Sequence, residues 1–249
     1  MDLKAFFDEH PKTALALSGG VDSSFLLYAG KKLGADIQPY YVKSDFQPEF
    51  ELEDAKEIAA YAGVSLKIIE ADVFSDRRII ENPPERCYYC KNVIFSKILE
   101  EARRDGYTVV LDGTNASDDV SERPGMRALS ELSVLSPLRE CGLAKSDIRR
   151  LARKEGLKNW DKPSYACLAT RIPWDTEITL EKLRLAERAE NYLFSLGFAD
   201  FRVRIRDQAA VLQMPEEQMP ELIKKLSAVT EGLGFFESIH LDLKARKSS

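Results

Sequence analysis

Short apolar stretches alternate with longer segments of helical spacing through the first two thirds of the chain. Thr13, Ala14, Leu15, Ala16 and Leu17 form one apolar stretch, and helical spacing follows from residue 21 to about 33. Residues 37–42 read as the next strand. Residues 51–62 read as a helix, with Leu52, Ala55, Ile58 and Ala59 on one face. Residues 65–69 predict a strand, 88–103 a helix and 108–111 another strand. Residues 134–138 predict a last short strand, and Ser146 is the expected cap of a helix running through Leu151. This alternation predicts an α/β fold, a parallel sheet with helices on both faces. Ligands bind such sheets at the carboxyl ends of the strands.

Beyond residue 173 the texture changes. A long amphipathic helix over 180–196 precedes strands at 201–206 and 209–214, a helix over 216–229 and a strand at 238–243. That order predicts a small C-terminal α+β domain, so the expected domains are 1–173 and 174–249. No internal repeat or low-complexity stretch interrupts either.

The junction after the first strand carries the most chemistry. Ser18-Gly19-Gly20-Val21-Asp22-Ser23-Ser24 places a glycine turn at a helix start. Backbone N–H groups there lack helical partners and can cradle a pyrophosphate. Gly19 and Gly20 allow close approach of a ligand. Ser18, Ser23 and Ser24 add hydroxyls, and the Asp22 carboxylate suits a Mg²⁺ ion between phosphates. No G-x-x-x-x-G-K-[ST] loop is present. The segment instead resembles the S-G-G-x-D-S loop of the PP-loop ATP pyrophosphatases, which split ATP between its α and β phosphates. A plain Gly-Gly turn is the bland alternative; six matched positions after an apolar strand argue against it.

Composition narrows the classes. The chain has 249 residues, 44% hydrophobic and 31% charged, with a net charge of −5. A general nucleic-acid binder would more often be basic. No run of roughly 18 apolar residues suggests a membrane span, and no secretory signal is visible. A cytoplasmic, reducing setting is expected, because four cysteines in such a chain do not make a disulfide framework.

The cysteines are the second signal. Cys87 and Cys90 form a C-x-x-C at a helix start, after Pro83-Pro84, and Cys167 lies far along the chain. Three thiolates suit a [4Fe–4S] cluster with one iron left open. They also suit Zn²⁺ with a fourth ligand, a redox dithiol, or plain buried thiols. Cys141 has no partner spacing and reads as a bystander. His10 and His240 sit in no motif, and Trp160 and Trp174 bracket Cys167 as packing residues.

Taken together, the Ser18–Ser24 loop, R-C-x-x-C-K at 86–91, D-G-T-N at 112–115 and P-S-x-A-C-L-A-x-R at 163–171 resemble the LarE family. Its members are ATP-dependent sulfur transferases in biosynthesis of the nickel-pincer nucleotide cofactor. The resemblance implies that ATP adenylates a carboxylate of pyridinium-3,5-biscarboxylic acid mononucleotide, after which sulfur displaces AMP. It implies Cys167 as a catalytic residue and, with all three cysteines present, a [4Fe–4S] cluster on Cys87, Cys90 and Cys167. Sulfide or another sulfur donor and a homo-oligomer are further implications.

Roles follow for the remaining candidates. Lys91 and the loop amides would offset charge on departing pyrophosphate. Asp22, with Asp118 or Asp119, would place Mg²⁺; for the latter two a solvated loop is the alternative. Asp112, Gly113, Thr114 and Asn115, at a strand end, would contact the nucleotide. Lys43 follows the second strand and would touch adenine or ribose. Arg123, Arg127, Arg202 and Arg204 are anion-site candidates for the phosphate of a mononucleotide substrate, and Glu190 is a lesser addition. Alternate strand residues share a face; a merely solvated face is the alternative. A PP-loop tRNA thiolase, an ATP-dependent amidating enzyme and a non-catalytic nucleotide- or metal-binding module are the competing readings. The acidic charge and the lack of zinc-ribbon cysteines weigh against the thiolase.

Overall fold

The computed structural model describes residues 1–119 and 124–246. Its chain separates into two units, one of residues 1–79 and 85–162, the other of residues 80–84 and 163–249.

The first unit is built on four parallel strands: β1 (Lys12–Ala16), β2 (Asp36–Lys43), β3 (Lys67–Glu70) and β4 (Val110–Leu111), in the order β3-β2-β1-β4. Around them lie α1 (Leu3–Glu9), α2 (Val21–Lys32), α3 (Glu49–Tyr61), α4 (Arg77–Ile80), α5 (Arg86–Arg104), α6 (Pro124–Glu131), α7 (Pro137–Glu140) and α8 (Lys145–Lys154). Residues within each strand alternate between two cores. Leu15 and Tyr41 join Phe25, Leu26, Ala55, Ile58 and Ile148 on one face. Ala14, Tyr40 and Val42 join Phe95, Ile98, Ala102 and Leu129 on the other. Both faces are covered, which is why the strands read as nearly continuous apolar runs. Pro39 sits inside β2 opposite Leu15, but the β3 ladder begins only at Tyr40↔Lys67, so its missing N–H breaks no bond there. The α/β class expected from the alternation is therefore the fold of this unit.

Two local expectations are corrected. Residues 134–138 do not form a strand: Leu135 makes an isolated parallel bridge to Leu111, and Pro137 starts α7, where its fixed φ and absent N–H suit a first helical turn. The cap of α8 is Ala144, in extended backbone, not Ser146; the helix starts one residue before that serine.

The second unit holds α9 (Leu180–Ser195), β5 (Arg202–Arg206), β6 (Ala209–Gln213), α10 (Met219–Lys224), α11 (Leu226–Gly232) and β7 (Ser238–Leu241). β5 and β6 form an antiparallel hairpin, and β7 adds in parallel to β6. Thr179 caps α9 by accepting from the Lys182 N–H at 3.2 Å. The expected single helix over 216–229 is divided: Pro220 can occupy only a first turn, and Lys225 leaves helical geometry between α10 and α11. Residues 80–84 belong to this unit because Asn82, fully buried, donates to the Pro173 carbonyl at 2.7 Å, and the Asp175 N–H returns a bond to the Asn82 carbonyl. No helix among the described residues is long and apolar enough to cross a membrane.

Candidate active site

In the first unit the chain moves outward from β1 to β2 and β3, then returns to place β4 on the other side of β1. The crevice at such a reversal is the usual ligand position in an open parallel sheet. The Ser18–Ser24 loop follows β1 and the Asp112–Asn115 turn follows β4, so both flank it.

The loop enters α2 through Gly20 in extended backbone, with no side-chain cap on the first turn. Uncapped N–H groups and the helix dipole thus point at whatever occupies the crevice. Ser18 and Ser23 hydroxyls lie 3.2 Å apart, and Ser23 Oγ also donates to the Gly20 carbonyl. Gly19 takes φ +78°, and a Cβ there would sit 2.8 Å from the Glu51 carbonyl oxygen on α3. Gly113 packs as closely: a Cβ would meet the Ser23 backbone nitrogen at 2.9 Å. The two loops touch through glycine because no side chain fits between them.

A cavity of about 380 Å³ opens here. Its polar lining comes from Ser18, Gly20, Asp22, Ser23, Lys91, Asp112, Gly113, Thr114 and Asp118, and its apolar lining from Tyr40, Val42, Ile94, Phe95 and Ile98 among others. The apolar lining suits a planar heterocycle and the polar lining a string of phosphates. Asp112 is buried and accepts from Ser136 Oγ at 2.6 Å, the Thr114 N–H at 3.2 Å and Thr114 Oγ1, so it shapes its turn. Lys91 runs along Gly125, where a Cβ would stand 2.9 Å from Lys91 Cδ.

Other predicted residues lie outside the cavity lining. Gly19 and Ser24 form the back of the loop, where both meet Asn159. Lys43 pairs with Glu49. Asn115 is buried and caps its own turn through the Ser117 N–H at 2.8 Å. Arg127 stacks on the Tyr88 ring at 3.9 Å. Arg123 falls outside the described residues.

One cavity-edge residue had no motif to announce it. Lys145, at the start of α8, pairs with Asp22 Oδ2 at 2.5 Å. Asp22 Oδ1 is buried without a hydrogen-bond partner. Burial holds the Asp22 carboxyl above its usual range, against the opposing pull of Lys145. A buried carboxylate oxygen lacking a donor suits a divalent cation, so this residue fits Mg²⁺.

Cys87 and Cys90 lie one turn apart at the start of α5, the first exposed and the second buried. That spacing puts two thiols on one helix face, as a cluster or a dithiol requires. Among the described residues no three His, Cys, Asp or Glu side chains form a metal-binding group, and Cys167 belongs to the second unit.

In that second unit, arginines hold the main chain on either side of the half-buried Cys167. Arg171, fully buried, donates to the Ala166 carbonyl at 2.9 Å and to Thr170 Oγ1 at 2.7 Å. Arg202 donates to the Ser164 carbonyl and Arg204 to the Thr170 carbonyl. Glu190 is 1% exposed and holds Arg171 through both oxygens, at 2.8 and 2.9 Å. It also accepts from the Val203 N–H at 2.8 Å and from Tyr165. Burial, with Arg171 nearby, brings the Arg202 guanidinium down to about 10. Arg204 is lowered for the same reasons. Burial opposes charge on Arg171 too, but its bonds to Glu190 outweigh that and hold it above the usual value.

The asparagine synthase family matches residues 8–161. A pyridinium-3,5-bisthiocarboxylic acid mononucleotide synthase of Lactiplantibacillus plantarum is 32% identical over 251 aligned positions, 99% of this chain and 91% of that protein. An uncharacterized protein of Synechocystis is 36% identical over 228, covering 91% and 85%. A glutamine-hydrolyzing GMP synthase of Aeropyrum pernix is 28% identical over 197, covering 70% of this chain and 38% of that protein.

Proposed function

The chain belongs to the LarE family of PP-loop enzymes, and from that membership we propose an ATP-dependent sulfur transferase that makes a thiocarboxylate from pyridinium-3,5-biscarboxylic acid mononucleotide. The observation that carries the reading is one cavity lined both by the uncapped start of α2 with Asp22 and by apolar side chains.

A carboxylate oxygen is a poor leaving group. Its attack on the α-phosphorus of ATP forms an acyl adenylate and expels pyrophosphate. The α2 amides and Lys91 stabilise charge growing on that pyrophosphate. Asp22 would hold Mg²⁺, which supplies further neutralisation of the phosphates. Displacement of AMP by sulfur then completes the exchange. Cys87, Cys90 and Cys167 would hold an iron–sulfur cluster, a source of nucleophilic sulfide when bound. Arg202 and Arg204 are proposed for the substrate phosphate. Bonds within the unit use two of each guanidinium's five donors.

Chromatography of ATP turned over with the dicarboxylate tests the adenylation step: AMP and pyrophosphate are expected, and ADP with phosphate would refute it. Mass spectrometry of substrate and protein then locates the sulfur. Replacement of oxygen by sulfur in the product, with the protein mass unchanged, supports the cluster route; loss of sulfur at Cys167 points to the cysteine itself. Anaerobic reconstitution should load about four irons per chain, lost in Cys87→Ala and kept in Cys141→Ala.

A further inference from the structure

We propose that Asn159 is a positioning residue that locks the Gly19–Gly20 peptide, so that the Gly20 N–H faces the phosphates of a bound nucleotide. The proposal rests on the cavity being an ATP site. It begins with a peculiarity of Gly20. Its backbone angles, φ −69° and ψ 155°, are open to any residue. A Cβ there would meet nothing closer than Ser18 Oγ at 3.5 Å. Neither strain nor crowding within the protein demands glycine at 20. Its position in the cavity wall explains it, because a side chain would stand where the ligand approaches.

That solution has a consequence. A peptide between two glycines can flip at little steric cost, since both flanking residues tolerate positive φ. The peptide is planar and trans, so its C=O and N–H point in opposite directions. A flip would turn the Gly19 carbonyl toward the phosphates and the Gly20 N–H away from them.

Asn159 opposes the flip. Its Nδ2 donates to the Gly19 carbonyl at 2.9 Å and to Ser24 Oγ at 2.9 Å, across 140 and 135 residues of sequence. Ser24 Oγ adds a longer bond to the same carbonyl at 3.4 Å. With the carbonyl held at the back, the Gly20 N–H lies on the cavity side, 3.4 Å from Ser18 Oγ. A bond that long is readily exchanged for one to a phosphate oxygen. Asn159 is itself anchored: Leu157 is buried in the first-unit core, Trp160 packs against it, and Lys162 pairs with Asp54.

Calorimetric binding of ATP and of adenosine to Asn159→Ala and Asn159→Asp tests this. Adenosine uses the apolar lining but has no phosphates. Both variants should bind ATP about tenfold more weakly, the value of one charge-assisted hydrogen bond, with adenosine affinity unchanged. Parallel loss of both ligands would overturn the proposal, since that marks a general structural role; so would unchanged ATP binding. Aspartate fills the space of asparagine without its donors, so it carries the comparison if Asn159→Ala melts early. Failure of both variants to fold would also overturn it and make Asn159 a folding residue. Wild-type protein that binds no ATP would instead refute the ATP site itself.

Discussion

Lys145 Nζ lies 2.5 Å from Asp22 Oδ2, joining the first turn of α8 to the first turn of α2 across 123 residues of sequence. The pair sits beside the loop whose amides open toward the cavity. Removing the lysine leaves a half-buried carboxylate without this counter-charge and strips a cation from the side of the cavity proposed for phosphates. Lys145→Ala should lower the rate of pyrophosphate release roughly a hundredfold, the usual order for one lost electrostatic contact in a reacting site. A wild-type rate would show that Lys145 only balances charge at rest.

Gly125→Ala should act on Lys91 without touching the cavity. The added methyl would lie 2.9 Å from Lys91 Cδ and 3.1 Å from Cε, so the lysine stem must move. Adenylation is expected to slow about tenfold or more, as misplacement of a charged group by an ångström does. The thermal midpoint should stay close to wild type, because a flexible side chain yields more easily than backbone. Normal kinetics would mean that Lys91 reaches the phosphates by another path.

Glu190→Ala should be among the most destabilising single changes in the second unit. It removes the carboxylate that pairs with the buried Arg171 guanidinium and accepts from the Val203 N–H and the Tyr165 hydroxyl. Breaking such a pair costs about 3–5 kcal/mol, readable as a fall in the denaturant midpoint. Glu190→Gln, which keeps one acceptor oxygen, should cost less.

Asp105 gives the first unit an acid-sensitive joint. It accepts from Tyr40 at 2.6 Å and from Lys67 at 2.5 Å, tying the end of α5 to β2 and β3. The hydrogen bond from Lys67, then that from Tyr40, holds its carboxyl below the usual value. A depressed carboxyl contributes stability above its unfolded pKa of about 4 and loses it as pH falls through the lower folded value. Melting curves of Asp105→Asn should therefore lie below wild type at neutral pH and converge with it in strong acid. A constant offset at every pH would assign the effect to packing.

What the sequence determined by itself was local in origin. Alternation of apolar stretches with helical spacing gave the parallel sheet, because burial on both faces leaves that pattern in consecutive residues. The glycine turn at 18–24 made an uncapped helix start legible for a similar reason: the free amides belong to the same few residues that spell it. The paired thiols of Cys87 and Cys90 were equally legible at one-turn spacing. Tertiary structure alone decided which distant groups complete these local devices. Lys145 reaches Asp22, Asn159 holds Gly19, and Gly113 lies on Ser23, each through a contact between segments far apart in the chain. No periodicity marks such contacts, since a lone Lys, Asn or Gly is equally at home on a solvated surface. The fate of the arginines was hidden in the same way. Alternation on β5 placed Arg202 and Arg204 on one face, but only the fold brought the Ser164 and Thr170 carbonyls to meet them. Helix ends were decided there too: α8 starts at Lys145 with Ala144 at its cap and Ser146 inside its first turn, while Ile148 and Ala152 pack into the core.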